Sequence, residues 1–181
     1  GGVGAICQSG GNAIYLAREA ARRGVRFSKV ISYGNASDVN ETDLMEYMAD
    51  DPETSIIMAY IEGVRNGPRF MKALERAARR KPVIVLKVGI TESGARAAAS
   101  HTGSLAGADR VWDGVLEQVN AVRVATIEEW IDMAVTFSFF PRPVGRRVAL
   151  LGLGGGATVL ASDEATKEGL SIPGFPEDLR K

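Results

Sequence analysis

The chain of 181 residues contains one histidine, His101, which stands among glycine, serine, threonine and alanine residues. An imidazole is a competent nucleophile near neutral pH, and small neighbours let other backbone segments approach it closely. Segment 99–107 follows an apolar run at 83–88, so we predict that it is a loop leaving a strand end, where parallel α/β proteins bind ligands. A histidine in a flexible surface loop is the simpler interpretation, and the residues elsewhere in the chain decide between it and a functional site.

Two further groups could take part in chemistry at a strand end. Glu62 follows an apolar run directly, although a solvated loop glutamate is an equally good interpretation. Ser9, Gly10 and Gly11 form a small turn before a helical pattern, which would present free backbone N–H groups and a positive dipole end to an anion; Ser9 adds a hydroxyl donor. A phosphoryl group on His101 would need such donors, and a carboxylate on the other ring nitrogen would fix the tautomer.

A second glycine-rich turn repeats this arrangement near the end of the sequence. Gly154, Gly155 and Gly156 follow a predicted strand at 147–151 and precede a predicted helix at 157–168. The glycines are too crowded for the dinucleotide-binding fingerprint. We therefore predict a second open helix N-terminus here and no nucleotide site.

The elements that must position these residues alternate regularly along the chain. Short apolar runs alternate with helical patterns, as in a parallel sheet covered on both faces. This predicts an α/β fold, a flavodoxin-like doubly wound parallel sheet over residues 1–138, plus the first βα unit of a following domain. Residues 139–146 are predicted to be a linker, and 147–181 the truncated start of that second α/β domain. The predicted strands cover residues 3–7, 27–33, 55–61, 82–88 and 121–124.

Composition excludes several classes of protein. Lys plus Arg equals Asp plus Glu at 22 each, so no net charge directs the chain to nucleic acid or an anionic membrane. No apolar run approaches the roughly 20 residues that span a bilayer, and no signal peptide or metal-ligand pattern is apparent. The single cysteine, Cys7, fits a reducing, cytoplasmic location. Since the sequence opens within a strand, we expect it to be a piece of a longer protein.

Four motifs, in the same order, resemble one family. They are QSGG at 8–11, SYGN at 32–35, YIEG at 60–63 and SHTGSLAG at 100–107. Together they resemble the nucleoside-diphosphate-forming (ADP-forming) acyl-CoA synthetases, which are relatives of succinyl-CoA synthetase. The resemblance extends over residues 1–138, and its one departure is Cys7, where relatives more often carry serine.

The resemblance implies roles for these residues. His101 would be the phosphohistidine, which takes a phosphoryl group from an acyl phosphate and passes it to ADP. Glu62 matches the carboxylate associated with that histidine. The family holds the phosphohistidine between two helix N-termini, which implies phosphate binding by Ser9, Gly10 and Gly11 and by Gly154, Gly155 and Gly156.

The resemblance also implies substrates and partners. CoA, ADP or ATP and phosphate would be substrates, with no tightly bound cofactor. Mg²⁺ would accompany the nucleotide on an ATP-grasp domain. That domain and a CoA-binding Rossmann domain are expected as partners, in the same parent chain or in another subunit of an oligomer.

Two other functions remain open at this point. Some protein acetyltransferases carry a degenerate synthetase-like region that senses a ligand without ligation. An assembly domain is the other alternative, with an apolar patch near Trp112, Trp130 and Phe137, whose spacing is equally typical of a core. We favour the synthetase, because a pure sensor need not keep both His101 and Glu62.

Overall fold

The computed structural model of the protein describes residues 1–94, 96, 109–140, 144–152 and 154–177. The chain divides into two compact units, Gly1–Phe140 and Pro141–Lys181. None of the helices in the described ranges is long and apolar enough to cross a membrane.

The first unit is built on a five-stranded sheet in which every strand pairs in parallel, in the order β2-β1-β3-β4-β5. This order confirms the predicted flavodoxin-like topology. The chain winds outward from β1 in one direction and from β3 in the other, which opens a crevice at the carboxyl ends of these two strands. The strands are β1 (Gly2–Cys7), β2 (Phe27–Ser32), β3 (Thr54–Ile61), β4 (Val83–Lys87) and β5 (Val122–Val124).

Helices follow the strands as the apolar periodicity predicts. Their starts are specified locally: Ser9, Asn40, Asn66 and Thr126 each accept a hydrogen bond from a backbone N–H of the first turn, which satisfies a group that the helix leaves free. Gly24, at φ 85°, follows the first helix. The helices are α1 (Gly10–Arg22), α2 (Glu41–Asp50), α3 (Gly67–Ala78), α4 (Asp109–Gln118), α5 (Ile127–Phe139) and, in the second unit, α6 (Gly155–Lys167).

The core forms one apolar layer on each face of the sheet. α2, α3 and α4 contribute to one layer, in which Trp112 packs, and α1 and α5 contribute to the other, in which Trp130 is fully buried. The indole N–H of Trp130 donates to the Ile84 carbonyl at 3.2 Å, and Phe137 packs against the same layer. These aromatic residues are therefore core residues. The interpretation of them as an exposed apolar patch, which an assembly domain would use, is wrong.

The second unit differs from expectation in one element. Helix α6 agrees with the predicted helix, but the predicted strand over 147–151 is wrong. Only a single parallel bridge forms there, between Arg147 and Ser171, with the Val148 N–H donating to the Ser171 carbonyl at 2.9 Å. A parallel strand needs a neighbour along its length, and Ser171 supplies one position.

Candidate functional site

His101 and the surrounding residues 97–108 lie outside the described residues. Residues 88–94 lie between β4 and this segment, with 92–94 helical, and α4 begins at Asp109 after it. Arg123 on β5 forms ion pairs with Asp109 and Asp113 of α4. The start of α4 is therefore tied to the edge strand of the sheet by charge-assisted hydrogen bonds.

The N-terminus of α1 lies at the carboxyl end of β1. The Ser9 Oγ accepts from the Asn12 N–H at 3.3 Å, so this hydroxyl caps the helix and keeps its own hydrogen for donation. Gly10 and Gly11 are exposed, and as the first two residues of the helix their N–H groups have no acceptor within it. A Cβ at Gly11 would meet nothing within 4 Å. Local packing therefore does not require glycine at this position. Close approach of an anion to the backbone would require it, because a side chain would stand in the way.

Glu62 lies directly after β3, on the opposite side of the crevice from α1. Its exposed fraction is 8%, so the interpretation as a solvated loop glutamate is wrong. Its carboxylate makes no hydrogen bond or ion pair within the described part of the chain. Its charge interacts with that of the buried Lys87, and charged pairs of this kind concentrate where chemistry occurs.

The backbone of Glu62 is held from both sides. The Gln8 Oε1 accepts from the N–H groups of Glu62 at 2.9 Å and Gly63 at 3.3 Å. The Lys87 Nζ donates to the Glu62 carbonyl at 2.8 Å and also to the Val88 carbonyl. Gln8 follows β1 and Lys87 ends β4, so the two strands that flank β3 each contribute one side chain.

Sequence reasoning missed both of these side chains. Gln8 stands in the QSGG motif, in which only the serine and the glycines were predicted to bind phosphate. Lys87 ends the apolar run of β4. The exposed fraction of Lys87 is only 2%. The signal was present: a lysine inside an otherwise apolar strand is expensive unless something pairs with it.

Burial sets the electrostatics of Lys87. It lowers the pKa of the ammonium to about 8, an effect reinforced by Arg123 and opposed by Glu62 and Asp109. The ammonium also lies 5.5 Å from the centre of the Trp112 ring, close enough for a cation–π interaction. The site therefore contains a lysine that changes charge near neutral pH.

Tyr33 brings a second polar group to this end of the sheet. Its N–H donates to the Cys7 carbonyl at 3.1 Å, while its hydroxyl is buried and has no partner among the described residues. Burial raises the pKa of Tyr33, and Glu41, Cys7 and Glu62 add to that rise. The phenol therefore stays neutral, as a donor without an acceptor.

Cys7, the last residue of β1, lies at the same end of the sheet but is fully buried and not suited to react. Burial raises the pKa of its thiol to about 12, so the thiolate that would act as a nucleophile is not formed at neutral pH.

The second predicted helix N-terminus belongs to the second unit. Gly154 is the N-cap of α6 and makes no side-chain hydrogen bond. A Cβ on Gly154, Gly155 or Gly156 would meet nothing within 4 Å. The start of α6 is thus open, like that of α1, and joint binding of one phosphoryl group by the two helices stays a prediction.

In the described ranges, no three His, Cys, Asp or Glu side chains are grouped so that they could hold a metal ion. Within the described part of the Gly1–Phe140 unit, the candidate site is built from Glu62, the buried Lys87 and the start of α1.

Known proteins are similar to this chain over its whole length. A family model for the succinyl-CoA ligase like flavodoxin domain matches residues 1–137. The alpha subunit of acetate–CoA ligase [ADP-forming] I from Pyrococcus furiosus is 41% identical over 180 residues, which are 99% of this chain and 39% of that protein. The 4-hydroxybutyrate–CoA ligase [ADP-forming] of Nitrosopumilus maritimus is 36% identical over 92% of this chain and 24% of its own length.

A solved structure agrees in fold as well as in sequence. The dinucleotide forming acetyl-coenzyme A synthetase 1 of Ca. Korarchaeum cryptofilum, in complex with phosphate and ADP, matches with a TM-score of 0.85 and 37% identity. The match covers 98% of this chain and 39% of that one. The chain thus spans at most about two fifths of the length of these relatives.

Proposed function

The chain belongs to the family of succinyl-CoA ligase-like flavodoxin domains, and we propose that it is the phosphoryl-carrying part of an ADP-forming acyl-CoA synthetase. The intact enzyme would convert acyl-CoA, phosphate and ADP into the free acid, CoA and ATP. In the family that the motifs resemble, a phosphohistidine carries the phosphoryl group from acyl phosphate to nucleotide, and His101 is the chain's only imidazole.

The proposed cycle has three steps. Phosphate attacks the thioester carbonyl, so that the C–S bond breaks and CoA leaves as its thiol. A ring nitrogen of His101 then attacks the phosphorus of the acyl phosphate, and the P–O bond to the acyl group breaks to release the carboxylate. In the last step a terminal oxygen of ADP attacks phospho-His101, which breaks the P–N bond and restores the imidazole.

The observation that carries this proposal is the environment of Glu62. A nucleophilic imidazole gains positive charge when it is phosphorylated, and a carboxylate on its other nitrogen stabilises that charge and fixes the tautomer. Glu62 is buried, has no partner among the described residues, and lies at the crevice where this fold binds ligands. It is therefore available for His101.

The start of α1 supplies the complementary charge. The N–H groups of Gly10 and Gly11, the Ser9 hydroxyl and the dipole of α1 would bind the oxygens of the phosphoryl group. By the same chemistry, Gly154, Gly155 and Gly156 at the start of α6 are proposed to bind phosphoryl oxygens with their N–H groups. Neutral donors suit a group in transit, because they stabilise it without a mobile cation.

The remaining chemistry would belong to other parts of the enzyme. A CoA-binding domain would bind the thioester, and an ATP-grasp domain would bind ADP with Mg²⁺, in the same chain or in a partner subunit of an oligomer. The small share of each relative that this chain covers supports such additional domains. The sensing module considered as an alternative gains no support from these relatives, which are named as ligases.

Transfer of label from ATP tests the proposal in reverse. The intact synthetase, with its nucleotide-binding part, is incubated with γ-labelled ATP and magnesium. We expect label on the protein that is acid-labile and stable to alkali, no label on His101→Ala, and a labelling rate about a thousandfold lower for Glu62→Gln. Nucleotide binding without label would contradict the proposal, and label that persists in His101→Ala would place the acceptor elsewhere.

A further inference from the structure

The clamp formed by Gln8 and Lys87 holds the peptide groups of Glu62 from both neighbouring strands. We propose that this clamp positions the Glu62 carboxylate for its work on His101, so that Gln8 and Lys87 are positioning residues of the reaction. The inference rests on the proposed function of Glu62 and adds two residues to it. It also explains why a glutamine and a lysine are buried at this end of the sheet.

The clamp begins where the backbone ladder ends. The Gln8 N–H donates to the Tyr60 carbonyl at 3.2 Å, and the Val88 N–H donates to the Ile61 carbonyl at 3.1 Å. Beyond these bonds β1 turns into α1 and β4 runs out, so neighbouring backbone no longer pairs with the peptide groups of Glu62. The two side chains replace it, and they extend the ordered sheet by one residue on β3.

Stability alone does not account for Lys87. A buried ammonium loses its hydration, and its hydrogen bonds to two carbonyls offset only part of that loss. Strand β4 otherwise consists of Val83, Ile84, Val85 and Leu86, which illustrates what the sheet itself requires. The cost of the lysine indicates a role that an apolar residue could not fill.

Among the described residues, protein groups surround the ammonium of Lys87. An ammonium has three N–H bonds. The Glu62 and Val88 carbonyls accept two of them, and the Trp112 ring lies against the ammonium. Lys87 therefore acts on the reaction through Glu62, whose charge faces it together with those of Arg123 and Asp109.

Lys81, two residues before β4, provides a control at the amino end of the sheet. Its Nζ also donates to two backbone carbonyls, those of Met48 in α2 at 2.6 Å and Asp51 at 2.7 Å. Lys81→Met and Lys87→Met therefore each remove a lysine that binds two backbone carbonyls. They differ in their distance from Glu62.

The test measures the initial rate of His101 labelling from γ-labelled ATP in the intact synthetase. We expect Lys87→Met to lower this rate about a hundredfold, as misplacement of a reacting group by about 1 Å does. The KM for ATP should change less than about threefold, because nucleotide binding is untouched. Lys81→Met should label at the wild-type rate. Equal rates for wild type and Lys87→Met, or equal losses in both variants, would overturn the inference.

Hydrogen exchange tests the Gln8 half of the clamp without relying on catalysis. Gln8→Met removes the acceptor for the amides of Glu62 and Gly63. In the intact synthetase, exchange of the peptide that contains both amides should accelerate at least tenfold in Gln8→Met, whereas the peptide that contains Lys29 at the amino end should keep the wild-type rate. Unchanged exchange in Gln8→Met would overturn the clamp even if His101 is labelled. A wild-type protein that takes up no label would instead overturn the proposed function, and with it the catalytic role of the clamp.

Discussion

The two ends of the sheet carry the same kinds of polar group but use them differently. At the amino end, the Lys29 Nζ pairs with Asp51 at 2.8 Å and with Glu53 at 2.7 Å. The Thr54 hydroxyl donates to Asp51 at 2.6 Å, and Lys81 donates to the Asp51 carbonyl. Each of these charged side chains has a partner of opposite charge or a hydrogen-bond acceptor.

At the carboxyl end the polar groups are less completely paired. The Glu62 carboxylate and the Tyr33 hydroxyl have no partner in the described part of the chain. Burial disfavours the charged form of Lys87 and lowers its pKa to about 8. Paired groups hold helices, strands and loops together, whereas unpaired ones are available to a ligand. The amino end of the sheet is therefore more completely paired than the carboxyl end, in line with the role proposed for Glu62.

The titration of Lys87 should have the largest effect on the free energy of unfolding. It would sharpen the comparison between the two ends of the sheet. The folded-state pKa is about 8 and the unfolded value is about 10.4. Between these values the unfolded chain binds more protons, so this group makes the free energy of unfolding rise with pH. Relative to Lys87→Met, the wild type should gain about 1 kcal/mol per pH unit from pH 8 to 10.

Urea unfolding of the 181-residue chain, followed by tryptophan fluorescence, measures this difference. Both tryptophans lie in the Gly1–Phe140 unit, so the signal reports the sheet. The difference from Lys87→Met is used because other groups titrate in the same range. Lys72→Met, at an exposed position of α3, should run parallel to the wild type. A constant difference between wild type and Lys87→Met would contradict the lowered pKa.

Asp51→Asn removes a central charge of the amino end of the sheet and should change stability less than the titration of Lys87 does. The hydrogen bond from Lys29, and then that from Thr54, lower the pKa of Asp51. Its stabilising contribution is therefore present above the unfolded pKa of about 3.9 and is lost as the pH falls through the folded value. The midpoint of thermal unfolding should fall by roughly 6 °C at pH 7, and wild type and variant should converge in strong acid.

The control for this variant is Asp38→Asn, at an exposed loop position, which should leave the midpoint unchanged at both pH values. Labelling of His101 in the intact synthetase should be unaffected by Asp51→Asn, in contrast to Glu62→Gln. A labelling defect in Asp51→Asn would erase the proposed division between the two ends of the sheet.

Tyr33→Phe should have the smallest effect, and in the opposite direction. The substitution removes a buried hydroxyl that has no partner among the described residues, so the free energy of unfolding should rise by about 0.5 to 1 kcal/mol. Tyr47→Phe, on an exposed tyrosine, is the control and should be neutral in the same urea titration. A loss of more than about 1 kcal/mol in Tyr33→Phe would mean that the hydroxyl is paired after all.

Much of the fold follows from local sequence. The apolar runs that became β1, β3 and β4 and the small polar residues that cap α1 and α2 act within a few positions of each other. The strand expected at 147–151 does not form, because an apolar run becomes a strand only beside a partner strand. Among the described residues, Ser171 alone pairs with this run.

The candidate site was accessible from sequence only in part. His101 and Glu62 stand out as a lone imidazole and a carboxylate after an apolar run, and the open glycines of α1 follow a recognisable turn. The burial of Glu62 and the part played by Gln8 did not stand out. They depend on contacts across 54 positions of the chain, which no local pattern records.

The sequence by itself determined the parallel α/β architecture, the family and the identity of the groups that could carry a phosphoryl group. Periodicity and motifs are local properties, so they are visible in the sequence without the structure. The tertiary structure decided which polar groups are paired and which are left free, because pairing depends on the strand order. By placing β3 between β1 and β4, that order brings Gln8 and Lys87 to the two sides of Glu62.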